Sequence, residues 1–441
     1  MTDWPRESCA FEPGSAVDPV GRVFRREGRV FRAISAPYGA FVRDLVDRAA
    51  AEGWSSRGLV TTWHTDARVE GYESVIEHER VPFVTLRGEW SFEGLRAAGL
   101  CILRLNAALV RAGFCLKDSH PWNVLFDAAR PRFVDWGSIR PVDELHWDFW
   151  YAQFRQYVIA PLHLFSTGRQ KLARALAREH HIGVGNELME HPRLRGLPRE
   201  PAGIAREAQA RGIASALDAL ADYLASLALP DPHGEWAQYP QPPFAGLDNV
   251  AGLRLKDRIV LEALRGDDAR SVLDLGANHG LHSRMAAALG KRVIAADVEE
   301  ACLNRLFLEV ARTGEDILPL HHDFLWPLGD SGILNSIPSS IERLRCDTVL
   351  AMAITHHLAL RRGVSFEALA AGIHALARRR AVVEFVPGDD VHVAGWTALH
   401  RDGYTLERFV AAMSRHFESH RIIPSDPAPR VVIVFDGARP R

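Results

Sequence analysis

Apolar and polar positions change rhythm twice along this chain. Gly21–Phe24 and Arg29–Ile34 alternate around Arg26, Glu27 and Gly28, which predicts a hairpin. Arg43–Ala51 and Phe92–Ala112 then take a helical period. In the second, Leu95, Leu100, Ile102, Leu103, Leu105 and Leu109 fall near helical spacing. Short apolar runs at 123–126 and 132–135 surround a turn, and the pattern from Glu144 to Leu227 is helical with interruptions, clearest over Ala205–Leu227. Leu229–Leu247 holds five prolines and no helical period, so it reads as a linker or docking segment. Beyond it, the strand candidates Ser271–Leu275, Arg292–Ala296, Ile317–Leu320, Thr348–Ala351, Ala381–Val386 and Val431–Phe435 alternate with helices. Those helices are expected at His282–Leu289, Glu300–Thr313, Phe366–Arg378 and Leu406–His416. Alternation of this kind predicts a parallel sheet with right-handed crossovers. The last strand is expected to follow its helix by a long connection. The division is therefore 1–228, a linker at 229–247, and 248–441.

Composition narrows the class. The chain has 441 residues, 47% hydrophobic and 24% charged, as a soluble globular protein does. A net charge of −2 gives no footprint for general nucleic-acid or membrane binding. No run approaches the roughly 18 uncharged apolar residues of a membrane span, and the first 25 residues hold no signal-peptide core. Cys9, Cys101, Cys115, Cys302 and Cys346 are scattered and form no CxxC pair. A reduced, cytoplasmic setting is expected. Lysine is rare, and none precedes Lys117.

The most informative segment is Ser271–Gly280, SVLDLGANHG, an apolar strand running into a Gly-rich turn before a helix. Glycines at a strand's carboxyl end let backbone approach a ligand closely, and exposed N–H groups there favour an anionic or carboxylate-bearing one. Asp274, placed in the turn, suits a cationic amine and is wrong for a pyrophosphate. The next strand ends in Asp297, where an acid accepts hydrogen bonds from ribose hydroxyls. The pair reads as a site for a nucleoside carrying an amino acid. The VLDLGANHG, VIAAD and HHDF segments resemble class I S-adenosylmethionine-dependent methyltransferases. That resemblance implies a Rossmann-like α/β domain, S-adenosylmethionine as cofactor, and Asp274, Gly276, Asn278, Gly280, Asp297 and Asp323 at the cofactor, with Asp323 in the adenine-contacting loop. The VLAMAITHHL, VVEFVP and YTLERF segments resemble a bacterial subset related to rhizobial nodulation proteins.

The fourth strand, Asp347–Ala353, leads into Ile354-Thr355-His356-His357. Ligands bind at the carboxyl ends of strands in such sheets, so His356 and His357 are expected beside the sulfonium. One of them can serve as the base that deprotonates an acceptor oxygen. The alternative is that one caps the following helix or packs against the cofactor. No further ligands gather around the pair to suggest a metal. Glu384 lies in a buried strand, so it either meets an internal arginine or faces the acceptor pocket. Asp389 and Asp390 are expected in an exposed loop, and Arg378–Arg380 at a solvated helix end.

A second constellation lies in the first half. Asp118 precedes Asn123 in LKDSHPWNVLFD, and Asp135 opens a DWG triplet. These motifs resemble the catalytic and metal-binding loops of protein-kinase-like phosphotransferases, closest to the aminoglycoside-phosphotransferase group. The resemblance implies an α+β, mostly helical kinase-like domain, with Asp118 orienting an acceptor hydroxyl and Asn123 and Asp135 as metal ligands. The chain departs from that pattern. There is no Gly-rich loop upstream and no lysine for the phosphates; Arg29 and Arg32 are the available replacements. ATP and Mg²⁺ are therefore expected only if this domain is active. A degenerate module would instead brace the methyltransferase or bind its acceptor, with Asp118, His120, Asn123 and Asp135 holding their loop together and Trp122 and Trp136 as packing aromatics.

The function expected is methyl transfer (the EC 2.1.1 class) to a small-molecule, natural-product, carrier-bound or glycan acceptor, at oxygen with a histidine base. The alternative is a bifunctional kinase–methyltransferase that phosphorylates and methylates one sugar or metabolite. A non-enzymatic nucleotide-binding scaffold is the third reading.

Overall fold

The computed structural model describes residues 2–178, 187, 201–230, 234, 236–238, 244–250, 252–266, 268–332, 335–396 and 403–441. Nine of the nineteen residues of the Pro-rich stretch predicted as a linker lie outside the described residues. The chain separates into two compact units, Met1–Asp231 with Asp330–Ile337, and Pro232–Gly329 with Pro338–Arg441.

The first unit opens with strands β1 (Thr2–Trp4), β2 (Ala10–Phe11), β3 (Gly21–Arg26) and β4 (Arg29–Ile34), then the helix Gly39–Ala51. Strands β5 (Thr62–His64), β6 (Ala67–Val69) and β7 (Ser74–His78) follow. An antiparallel sheet forms in the order β2-β3-β4-β7-β5. Pairing gives it two different faces. Phe24, Phe31, Ala33 and Val75 pack with Cys9 and Val69 as a core. Successive residues alternate sides, so Arg32 projects opposite to Phe31 and Ala33. The expected 21–34 hairpin is present; β5 and β7 carry too little alternation to be read from sequence.

The helix Phe92–Arg111 is capped by Ser91, whose side chain accepts from Gly94 N at 3.2 Å, and packs against Ile213–Ser226. Beside it lie the short pairs β8 (Phe114–Leu116) with β11 (Ile139–Pro141), and β9 (Val124–Asp127) with β10 (Arg130–Phe133). These carry the loops that hold Asp118, Asn123 and Asp135. Helices Trp147–Phe154, Ala160–Ser166 and Gln170–Arg178 follow.

The second unit is built on one mixed sheet. Its strands are β12 (Ser271–Leu275), β13 (Arg292–Asp297), β14 (Ile317–His321), β15 (Cys346–Ala351), β16 (Ala377–Phe385), β17 (Phe417–Pro424) and β18 (Val431–Ala438). The order is β14-β13-β12-β15-β16-β18-β17. The first five are parallel, and β18 runs antiparallel between β16 and β17. This is a doubly wound, Rossmann-like sheet whose strand order reverses between β12 and β15. All five residues of β12 are buried, as a central parallel strand requires.

Two expectations change here. Arg378–Arg380 do not end a helix. The helix Phe366–Leu376 stops earlier, and the three arginines open β16. The β-branched run after them pairs with β15 on one side and β18 on the other, and the ladder extends back to Ala377. Carboxylates offset the charges: Arg378 with Asp347 at 3.8 Å, Arg380 with Asp436 at 2.5 Å, and Arg379 with Asp268. The long connection before the last strand is itself strand β17. Only its ends are apolar, and Glu418, Ser419, His420 and Arg421 are exposed. An edge strand needs no apolar period, so no alternation announces it.

Candidate functional site

The turn after β12 is backbone built for close approach. Gly276, Asn278 and Gly280 have φ of 71°, 51° and 80°. A Cβ on Gly276 would sit 2.5 Å from Ile354 Cγ2, and one on Gly280 2.7 Å from Leu306 Cδ1, so both positions need glycine. Gly276 and Ala277 donate their N–H groups to Ala296 O at 2.8 and 3.1 Å. Asn278 N donates to Asp297 Oδ2 at 2.8 Å. Asp297 Oδ1 accepts from Val298 N and Glu299 N at 2.7 and 2.8 Å. Burial nevertheless raises the Asp297 carboxyl above its ordinary pKa, against these three hydrogen bonds.

Asp274 lies inside β12, not in the turn as its sequence position suggested, and is 1% exposed. Its Oδ2 accepts from Ser283 Oγ at 2.7 Å. Burial raises its pKa; neighbouring His282 and the Ser283 bond work against that. The Asn278 amide donates Nδ2 to Trp236 O at 3.0 Å, while its buried Oδ1 has no partner. Asp323 Oδ1 accepts from Leu325 N at 2.9 Å and Trp326 N at 3.3 Å, closing a tight turn after β14.

Two apolar residues beside these acids escaped the sequence reading. Val298 is 54% exposed directly after Asp297, and Trp326 is 72% exposed three residues after Asp323. The legible signal was an apolar residue one position after Asp297 and three positions after Asp323. These residues fit S-adenosylmethionine. A buried carboxylate met by the neutral hydroxyl and N–H of Ser283 and a buried amide oxygen with no partner suit an ammonium, Asp297 suits hydroxyls, and exposed apolar walls suit a base.

β15 delivers the histidines. Thr355 Oγ1 donates to Glu384 O at 3.0 Å and fixes the loop, and His357–Arg361 form a turn of π-helix, a feature frequent at functional sites. The imidazole centroids of His356 and His357 are 4.2 Å apart. Trp396 lies 5.5 Å from His356 and 5.0 Å from His357, and Trp236 meets His357 edge-on at 4.8 Å. His356 is 6% exposed and its Nδ1 has no partner. Burial, then the charge of His357 and Arg430, pushes its pKa down to about 3, so it stays neutral.

Glu384 is fully buried and meets internal cations, with Lys256 Nζ at 3.3 Å and Arg430 Nη1 at 3.7 Å. That favours the internal-cation alternative over the acceptor pocket. Asp390 departs from its expected exposure: it is 1% exposed and takes both Nε and Nη2 of Arg430 at 2.7 and 3.0 Å. Asp389 is exposed as expected.

In the first unit, Asn123 Nδ2 lies 3.4 Å from Asp135 Oδ2. Asp118 and Asp135 both act on His120, raising its pKa against the stronger lowering by burial. Trp122 packs between His120 and Tyr157, and Trp136 is buried. Of the two candidate arginines, Arg29 pairs with Glu77 in solvent, whereas Arg32 is buried and reaches Asp135 Oδ1 at 3.2 Å and Asp18. A magnesium–nucleotide complex does not fit this arrangement. The guanidinium already occupies the carboxylate that would bind the metal. Among the described residues no cluster of three His, Cys, Asp or Glu side chains forms a metal site. None of their helices is long and apolar enough to cross a membrane.

No family model matches the chain. It is 26% identical to nodulation protein NoeA of Rhizobium meliloti (strain 1021), across 91% of each chain. Among solved structures it is similar to the N-methyltransferase NodS of Bradyrhizobium japonicum WM9, at 12% identity and a TM-score of 0.32, over 42% of this chain and 95% of that one. It is also similar to the bifunctional kinase-methyltransferase WbdD, at 14% identity and a TM-score of 0.31, over 42% of this chain. The match spans only 38% of the WbdD chain. Likenesses at these scores carry no argument, and the Rossmann-like assignment rests on the sheet order.

Proposed function

We propose that this chain is an S-adenosylmethionine-dependent methyltransferase acting on an oxygen of a small-molecule, natural-product or glycan acceptor. One observation carries the reading: the Gly276–Gly280 turn sits where the strand order reverses and is bonded to Asp297 at the end of the neighbouring strand. In this reading the methionine ammonium meets Asp274 and Asn278 Oδ1. The ribose hydroxyls meet Asp297, and the adenine lies between Val298 and Trp326 beside Asp323. The cofactor supplies an electrophilic methyl group; the protein positions it and excludes water.

The two histidines divide the remaining work. A base titrating near 3 is poorly matched to neutral pH, so His356 serves as a fixed, neutral wall. His357, half-buried beside it, is the residue assigned to take the proton from the acceptor hydroxyl. The buried carboxylates Glu384 and Asp390 are engaged by Lys256 and Arg430. That favours a hydroxyl over a protonated amine.

Calorimetric titration with S-adenosylhomocysteine tests the reading. Saturable one-site binding, weakened by Asp297→Asn, is expected; absence of binding heat at several temperatures, with the protein folded, would end it. The bifunctional alternative draws on Asn123 and Asp135 lying together, but the Arg32 ion pair opposes it.

A further inference from the structure

The first turn of the helix Leu281–Ala288 grips two buried acids at once. Ser283 Oγ donates to Asp274 Oδ2 at 2.7 Å. His282, one residue earlier, meets Asp257 Oδ1 through Nε2 at 2.9 Å. Asp257 is fully buried in the first turn of the helix Leu255–Arg265, which packs against the first helix. It also accepts from Arg254 Nε and Nη2 at 2.7 and 3.2 Å. A chain of bonded groups therefore runs from half-buried Arg254, through Asp257, to His282, and ends beside Asp274. Buried ion pairs are weak evidence for stability, so the place of this one asks for another account.

His282 stands two residues after Gly280, so whatever fixes its ring fixes the start of the helix that follows the Gly-rich turn. An ionised carboxylate only accepts, so the bond to Asp257 puts a proton on His282 Nε2. Asp257 is ionised: burial would raise its carboxyl, yet the hydrogen bonds of His282 and Arg254 hold it down at about 2. Burial also raises Asp274, and the charge of His282 is the largest influence against it. The groups that act on these acids are few. Asp274 meets His282 and Ser283 and acts in turn on Asp297, at the end of β13; His282 meets Asp257, with Arg254 beyond it. We propose that His282, oriented by Asp257, is a positioning residue for the amino-acid end of the cofactor. It works through Asp274: Ser283 holds that carboxylate in place, and His282 keeps it ready for an ammonium. The inference rests on the reading of Asp274 as the ammonium's partner.

Calorimetry on the full chain with two ligands tests this: S-adenosylhomocysteine, and its deamino analogue in which hydrogen replaces the amine. The ratio of their affinities reads the ammonium contact, because damage to the turn or partial unfolding weakens both alike. In the wild type the ratio is expected to favour S-adenosylhomocysteine and to collapse towards one as pH falls. His282→Gln keeps a donor for Asp257 but carries no charge. Asp257→Asn removes the charge that faces the imidazole. Each leaves Asp274 easier to protonate, and each is expected to move the midpoint of the collapse upward by about one pH unit, the usual effect of one nearby charge. An unmoved midpoint in the folded variants, or in whichever of them folds, would overturn the proposal. So would a wild-type ratio that stays constant with pH. A wild type that binds neither ligand would instead end the cofactor reading, which keeps the two failures apart.

Discussion

The backbone N–H of Asn278 donates to Asp297 Oδ2 at 2.8 Å, tying the turn after β12 to the end of β13. The carboxylate assigned to the ribose thus also holds the loop assigned to the methionine end. Asp297→Asn keeps one acceptor oxygen but removes the charge. Hydrogen bonds to charged groups contribute about 1.5–3 kcal/mol, so S-adenosylhomocysteine should bind roughly ten- to a hundredfold more weakly. Calorimetry checks this; unchanged affinity removes Asp297 from the site.

Asp274 should make cofactor binding pH-dependent. Burial raises its pKa above the ordinary 3.8, so it protonates at higher pH than an exposed aspartate. A protonated carboxyl cannot pair with an ammonium, and S-adenosylmethionine affinity should fall as pH drops through that raised value. An affinity series at descending pH should show the loss in the wild type, and Asp274→Asn should be weak throughout with a flat profile.

His78 and His356 should destabilise the fold in acid. Both have pKa values lowered from 6.5 to about 3, chiefly by burial. The unfolded chain therefore binds more protons between those values, and their stability contribution, complete above pH 6.5, is lost as pH falls towards 3. Chemical denaturation at stepped pH should show a decline on the order of a few kcal/mol, made shallower by His78→Phe or His356→Phe.

The two histidines should also separate in turnover once an acceptor is in hand. His357→Ala is expected to lower kcat by about 10²–10⁴, the usual worth of a positioned base. His356→Asn should change KM more than kcat and leave the pH profile in place. Equal losses with unchanged profiles would refute the division of roles.

Gly276→Ala combines a left-handed φ of 71° with a Cβ 2.5 Å from Ile354 Cγ2. Strain at such a position costs about 1–3 kcal/mol. A lower Tm together with lost S-adenosylhomocysteine stabilisation is expected; a Tm equal to wild type would show that the turn relaxes freely.

Much of the second unit was legible because parallel strands buried on both faces read as continuous apolar runs. Ser271–Leu275 and Glu300–Thr313 match their expected bounds, and β13, β14, β15 and β18 lie within a few residues of theirs. Polar strands were not legible. β17 and the arginine-led start of β16 owe their conformation to neighbours across the sheet, which periodicity cannot register. Burial of charge was also hidden: Asp390 looks like a loop acid until Arg430, forty residues on, folds against it. Likewise, Arg29 and Arg32 are equivalent in composition. β4 runs from an exposed start to a buried end, which leaves Arg29 in solvent and Arg32 inside.

The edge formed by β17 has a consequence for how the molecule meets its neighbours. Among the described residues no strand lies beside its outer backbone groups, yet Glu418, His420 and Arg421 stand exposed along it and Pro424 closes its end. Charged side chains and a terminal proline make a poor template for a further strand. Replacing Glu418 and Arg421 with valine would turn a guarded border into an adhesive one. Turbidity growing with concentration, at unchanged S-adenosylhomocysteine affinity, would be the sign of it.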